Sequence, residues 1–167
     1  MKKVILFLIL LLAGTGLTMI PVQAGILLSN EKGDIFHFIP WDSEEIIIGW
    51  RHSVELTPWK ETYRITQDGD FSFESTTYQS YGAGTPDTDG NVEFLSDGFI
   101  RVTGIERTIS HYSLFYVPIS KYYVADGPKK YTLSRYVPDN TNVQIHYKQL
   151  KVYEWIWTRI ENLIKEG

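Results

Sequence analysis

Between residues 25 and 148 the chain is cut into short β-branched and aromatic runs, separated by turn signals at roughly the 8–12-residue spacing of all-β domains. The runs fall at 26–29, 35–39, 45–55, 60–66, 71–79, 92–95, 99–103, 111–117, 121–124, 131–136 and 143–147. Glycine beside aspartate at 31–34, 67–70, 96–98 and 126–128 supplies the positive φ that tight hairpin turns require. Successive hairpins are antiparallel, and a meander of them buries its apolar face only by stacking or closing. The pattern therefore predicts an all-β domain over residues 25–148, either an antiparallel β-sandwich or a partly open β-barrel. At Gln149 the rhythm changes. From there to Lys165, apolar residues at Val152, Tyr153, Ile156, Trp157, Ile160, Leu163 and Ile164 follow the spacing of one C-terminal amphipathic α-helix, assigned to 149–167. Two uses of that helix are open: its stripe packs on the sheet or caps the barrel end, or Trp155 and Trp157 with their flanking Lys and Arg make a peripheral membrane contact.

The start of the chain carries a different signal. Lys2 and Lys3 precede an unbroken apolar run over 4–12, and a second apolar stretch reaches Ile20. These are the n-region and h-region of an export segment. Pro21 and the small or modest residues Val22, Gln23 and Ala24 predict cleavage between Ala24 and Gly25, which makes 1–24 a signal peptide. The competing reading is an uncleaved membrane anchor, because 4–20 meets the lower limit of about 17 residues for a spanning helix. Either reading puts the domain outside the cytoplasmic membrane, whether secreted, periplasmic or held on the membrane's outer side. Loss of the two lysines would move the formal net charge from -4 to -6, which argues against a nucleic-acid surface. The absence of cysteine excludes disulfide scaffolds, thiolate metal sites, cysteine nucleophiles and a lipidated N-terminal cysteine. With 5 Trp, 11 Tyr and 8 Phe, a core is available from burial alone.

Strand parity picks out the candidate polar cluster. In the run 45–55, Ile46, Ile48, Trp50, His52 and Val54 share one face, while Glu45, Arg51, Ser53 and Glu55 share the other. In 60–66, Glu61, Tyr63 and Ile65 oppose Lys60, Thr62 and Arg64. A hairpin turn centred on Thr57-Pro58 sets His52 opposite Tyr63, and one centred on Pro58-Trp59 sets it opposite Ile65. Both registers leave Glu61 on the apolar face with His52, and the first makes them diagonal neighbours. A carboxylate there needs a partner, since burying it unpaired costs several kcal/mol. His52 is the nearest candidate, either as a structural pair that fixes the register or as a ligand-facing pair at a pocket mouth. A His-Glu pair is competent for general-base work. No nucleophile elbow, paired catalytic carboxylates or metal-spaced histidines accompany it, and His37, His111 and His146 are scattered singly. The expectation is a non-enzymatic protein with no catalytic residues, no metal and no cofactor.

Two loops imitate known sites. Gly82, Ala83 and Gly84, followed by Thr85-Pro86, suggest a phosphate cradle but lack a third glycine and a following helix. A sharp loop is expected instead, either purely conformational or forming a pocket wall with exposed amides. Asp87, Asp89 and Asn91 imitate the start of a calcium loop, yet glycine stands fourth rather than sixth and strands flank it, so an acidic hairpin loop is expected.

With His52-Ser53-Val54-Glu55, then Trp59-Lys60-Glu61-Thr62-Tyr63, then Gly82-Ala83-Gly84-Thr85-Pro86, the chain resembles the exported bacterial DUF1850 family over about residues 26–147. Tyr81 and Thr85 depart modestly from that family's pattern. The resemblance implies an extracytoplasmic accessory of TRAP-type transporters of the TAXI subclass, with a TRAP membrane subunit or a TAXI-type solute receptor as partner. The alternative is an autonomous small-ligand-binding module with a pocket around His52, Glu61 and the Gly82 to Gly84 loop. The combined ligand-binding or structural cluster is His52, Ser53, Glu55, Glu61, Tyr63, Gly82, Ala83, Gly84 and Pro86. The terminal helix lies beyond the common core of that resemblance.

Overall fold

The computed structural model describes residues 18–79 and 90–166 of the chain. It is built of antiparallel strands with one helix at the end. The strands are β1 (Pro21–Ser29), β2 (Ile35–Pro40), β3 (Glu45–Arg51), β4 (Pro58–Ile65), β5 (Phe71–Tyr78) and β6 (Asn91–Phe94). They continue as β7 (Ile100–Thr103), β8 (Thr108–Ile109), β9 (Tyr112–Tyr116), β10 (Tyr123–Asp126), β11 (Lys129–Thr132) and β12 (Thr141–Lys151). The helix α1 covers Val152–Glu166. The strands form a four-stranded sheet, β2-β1-β12-β9, and a larger one, β11-β10-β3-β4-β5-β7-β6, with β8 paired to β5 off that path. Neither sheet closes into a barrel, so the sandwich-like alternative is the one adopted.

The turn chemistry behaves as the sequence suggests: Gly33, Gly69, Gly98 and Gly127 all take positive φ. The differences have local causes. The run 45–55 stops being a strand at Arg51 because His52 to Thr57 forms the turn. The His52 N–H donates to the Thr57 carbonyl at 2.9 Å, the Leu56 N–H donates to the His52 carbonyl at 2.9 Å, and Leu56 takes φ 57. Proline at 58 therefore opens β4 and does not centre the turn. The run 131–136 divides into β11 and a 3-10 turn over Leu133–Arg135, which buries Leu133. The two-residue β8 has too little pattern to be found by periodicity. β12 runs four residues past the expected Tyr147, and α1 starts where the Lys151 N–H donates to Glu154 Oε2 at 3.0 Å. This is half of a capping box, with the acid three positions into the helix.

The chain divides into two compact units. The larger comprises Leu27–His37 and Ser43–Tyr147. Its core includes Leu28, Ile46, Ile48, Tyr63, Phe71, Val102, Val124, Leu133 and Ile145, all essentially without solvent exposure. Gly49 of β3 lies opposite Tyr123 of β10, and the Tyr123 ring occupies the space a Cβ would need. Glycine here serves close approach of an aromatic ring.

The smaller unit joins the chain up to Ile26, Phe38–Asp42 and the chain from Lys148. Ile26, Phe38, Ile39, Trp41, Leu150 and Thr158 are buried in it. The bond between Ala24 and Gly25, the expected cleavage point, falls inside β1. Trp41 N–H donates to the Ala24 carbonyl at 3.1 Å, and Val152 N–H, the first of α1, donates to the Ile20 carbonyl at 3.0 Å. Trp155 Nε1 donates to Gln23 Oε1 at 2.8 Å. The helix is thus held by its Glu154, Trp155 and Thr158 side. The predicted apolar stripe does not pack on the sheet: Tyr153, Ile156, Trp157 and Ile160 are all exposed. An amphipathic pattern fixes that two faces differ, and here the inward face is the one whose polar groups find hydrogen bonds. Among the described residues, no helix is long and apolar enough to cross a membrane.

Candidate functional site

Strand register on the larger sheet aligns side chains into rows that cross it. Trp50 pairs with Trp59, Trp59 with Tyr78, Tyr78 with Ile100 and Ile100 with Phe94. In the next row Ile48 pairs with Glu61, Glu61 with Thr76, Thr76 with Val102 and Val102 with Val92. A third row holds Ile46, Tyr63 and Phe73. The first row is an aromatic ladder: ring centroids lie 5.6 Å apart for Trp50 and Trp59, 4.8 Å for Trp59 and Tyr78, and 5.7 Å for Trp50 and Tyr122. Trp59 Nε1 donates to Thr76 Oγ1 at 2.8 Å and so ties the ladder to the second row. Its outer end is open, since Phe94 is 72% exposed on edge strand β6.

Glu61 is the one ionisable side chain of the second row. Its side chain keeps 16% exposure, and Tyr63 Oη donates to Glu61 Oε2 at 2.6 Å. Arg107 Nη2 donates to Tyr63 Oη at 3.1 Å and lies 3.7 Å from Glu61 Oε1, a loose ion pair. From the smaller sheet, Tyr112 also hydrogen-bonds Glu61, and its ring meets that of Tyr63 edge-on at 5.9 Å. Burial, then the Glu61 charge, hold the Tyr63 phenol well above its ordinary pKa of 10.0, with Arg107 opposing in part. Burial and Glu61 likewise push up Tyr112 and Tyr122. These phenols remain protonated donors through the whole physiological range, so the cluster is a charge held by hydrogen-bond donors within the sandwich.

A bulge puts Arg107 there. The β4–β5 register shifts between Thr62 and Tyr63, so that Thr62 faces Ser75 and Tyr63 faces Phe73, leaving Glu74 as the extra residue. Beyond the bulge, β5 leaves β7 and pairs with β8, while the Phe73 N–H donates to the Arg107 carbonyl at 2.8 Å. The guanidinium then sits over the Phe73 ring, 4.7 Å from its centroid. Half-exposed, Arg107 also lines an open cavity of about 510 Å³ with Phe73, Glu74, Gly104 and Thr108. Arg107 therefore links the buried cluster to a surface where its remaining donors are available to an anionic or polar group.

The predicted site residues do not form one site. Glu61 and Tyr63 are brought together on the expected apolar face. His52 is not Glu61's partner: the observed register sets Ile48 opposite Glu61, and His52 stands four residues farther along, about 13 Å at strand rise. It stacks on Trp59 with centroids 5.8 Å apart, and its Nδ1 accepts the Glu55 N–H at 3.2 Å. The expected pair fails because the turn lies before Thr57, which slides the register while preserving parity. Ser53 and Glu55 are exposed in that turn. Gly82, Ala83, Gly84 and Pro86, like Asp87 and Asp89, lie outside the described residues; the segment carrying them departs after Gln79, at the end of β5 where Tyr78 faces Trp59. His111 and His146 are not scattered singly but stack with centroids 4.9 Å apart. Among the described residues no group of three or more His, Cys, Asp or Glu is placed to hold a metal ion. Sequence reading missed Arg107, which sits in an irregular connection without periodicity. Tyr112 was within reach, because Tyr112, Leu114 and Tyr116 alternate along β9 as an inward row.

No curated protein and no solved structure matches the chain. A family model described as a domain of unknown function, DUF1850, matches residues 46–133, which takes in the ladder, the Glu61 cluster and Arg107 and leaves out α1. That match spans more than half of the chain, and the protein belongs to the DUF1850 family.

Proposed function

We propose that the protein is an extracytoplasmic, non-enzymatic accessory of a TRAP/TAXI-type solute uptake transporter, docking on a membrane subunit or on a TAXI-type solute receptor through the β6 edge of its larger sheet. The supporting observation is the asymmetry of that sheet's two edges. At one end β11 presents Lys129 and Lys130, the charged blunting by which edge strands avoid pairing. At the other, β6 is exposed along its length, and Val92 and Phe94 continue the apolar face of Val102 and Ile100 beyond the sheet. An edge with free backbone groups and apolar side chains suits strand addition by a partner, the backbone giving affinity and the side chains selectivity. The export segment and the family resemblance supply the compartment and the partner class.

Copurification tests this reading. Tagged full-length protein should retain transporter subunits or receptor from native membranes, and Val92→Lys with Phe94→Lys should abolish retention without moving the unfolding midpoint. Wild-type protein that retains neither, while those components stay associated with one another, removes the reading. A second reading, a small-ligand module, is favoured by the Arg107 cavity. A ligand at 100 times its Kd adds about 2.7 kcal/mol, so a thermal-shift screen of organic acids and amino acids should show a rise that Arg107→Ala removes.

A further inference from the structure

The exposed stripe of α1 has a defined neighbour in sequence. Tyr153, Ile156, Trp157 and Ile160 stand at i, i+3, i+4 and i+7, so one side of the helix presents a continuous apolar strip, with Trp157 61% exposed. The opposite side is fixed by the Trp155 to Gln23 hydrogen bond and the burial of Thr158. The helix's first N–H donates at 3.0 Å to the carbonyl of Ile20, the last residue of the apolar run 4–20. Met19, Ile20 and Val22 are exposed as well, so the apolar surface continues from the helix to the end of that run.

We propose that the protein keeps residues 4–20 as a membrane anchor and lays α1 flat in the adjoining lipid interface, stripe towards the acyl chains. Two arguments select lipid as the occupant. Cleavage after Ala24 would delete the acceptors on Ile20, Gln23 and Ala24 that hold Val152, Trp155 and Trp41, so the smaller unit needs the segment that leads into the run. Once the run is retained and spans the bilayer, a helix hydrogen-bonded to its last residue starts within a few ångströms of the lipid surface. The side chains match that depth: Trp157 and Tyr153 are the residue types that settle at membrane interfaces, and Lys151 and Arg159, both exposed, can reach anionic headgroups.

The chain has no cysteine, so single spin labels report without background. Full-length Trp157→Cys and Ile160→Cys would be labelled and reconstituted in phosphatidylethanolamine and phosphatidylglycerol vesicles, with Lys32→Cys as an exposed control. Oxygen, which partitions into lipid, should relax the labels at 157 and 160 at least threefold more than an aqueous nickel chelate does, and the order should reverse at position 32. The intact mass of protein extracted from membranes should include residues 4–24. Nickel-dominated relaxation at 157 and 160 overturns the proposal. So does shielding from both reagents, which means that protein such as residues 1–17 covers the stripe. Spin–spin broadening abolished by unlabelled chain assigns the stripe to a second copy and also overturns it, as does a mass beginning at Gly25.

Discussion

Replacing Glu61 by alanine should destabilise the larger unit far more than replacing Glu55, and the cluster sets the size of the difference. Glu61→Ala deletes the carboxylate that accepts from Tyr63 Oη at 2.6 Å and from Tyr112. Hydrogen bonds to a charged group contribute about 1.5–3 kcal/mol each, and leaving a buried donor without its acceptor costs about 1–3 kcal/mol. Tyr63 has no solvent exposure, so water cannot replace the lost acceptor. The loose Arg107 pair adds little, because its guanidinium is 47% exposed and screened. The expected loss is about 3–5 kcal/mol, within the range for breaking a buried polar pair. Glu61→Gln keeps one acceptor oxygen and should lose about half of that. Glu55→Ala sits in the exposed turn, where His52 Nδ1 accepts from the Glu55 backbone and not from its side chain, so it should stay within about 0.5 kcal/mol of wild type. Urea unfolding followed by emission from Trp50 and Trp59 reads the same sheet. With a slope of about 2 kcal/mol per molar urea, Glu61→Ala moves the midpoint down by roughly 2 M. Coincident midpoints and slopes for Glu61→Ala and Glu55→Ala would show that the carboxylate does not bridge the sheets, and the cluster would lose its structural meaning.

The tyrosines make stability sensitive to alkali. Their folded pKa values are raised above 10.0, so their contribution is complete below pH 10 and is lost as pH climbs towards the folded values; stability should fall by at most about 1.4 kcal/mol per pH unit for each, and Tyr112→Phe should flatten the slope measured by urea titration between pH 9 and 11. Acid acts on α1. Partial burial opposes ionisation of Glu154, but the Lys148 side chain, the Lys151 N–H and both lysine charges outweigh it and hold the pKa below 4.5; the stabilisation is present above that value and lost below it, so helical circular dichroism should decline on acidification and Glu154→Gln should remove the pH response. Gly49→Ala should cost about 1–3 kcal/mol by forcing the Tyr123 ring aside, and Tyr123→Leu in the same chain should recover part of the loss on chemical unfolding.

What could be read in the sequence and what could not divides along physical lines. Turns written in glycine and aspartate were legible because positive φ is a local requirement, met at Gly33, Gly69, Gly98 and Gly127. The face of Glu61 was legible because parity has period two and survives any even slip of register. Its partner was not. The pairing of β3 with β4 depends on where the chain reverses, and Leu56 takes a left-handed φ of 57 that its residue type does not advertise. Arg107 was hidden for a different reason: it reaches Glu61 through a bulge and a change of strand partner, both of which are tertiary events.

The helix shows the same limit in another form. Periodicity gave the stripe of Tyr153, Ile156, Trp157 and Ile160 correctly, and the hydrophobic effect alone would have turned it inwards. What decides the orientation is the set of donors and acceptors that must be satisfied at the helix start: the Val152 N–H on Ile20, the Lys151 N–H on Glu154 and the Trp155 indole on Gln23. Each is a polar group that costs free energy if buried unmade, and together they outweigh the choice of face by apolar area. An apolar stripe left outside by such constraints must be offset by whatever it meets in the cell, and in this chain the segment hydrogen-bonded beside it is itself apolar for seventeen residues. Polar satisfaction of one face therefore leads, without further assumption about sequence, to a lipid-facing role for the other.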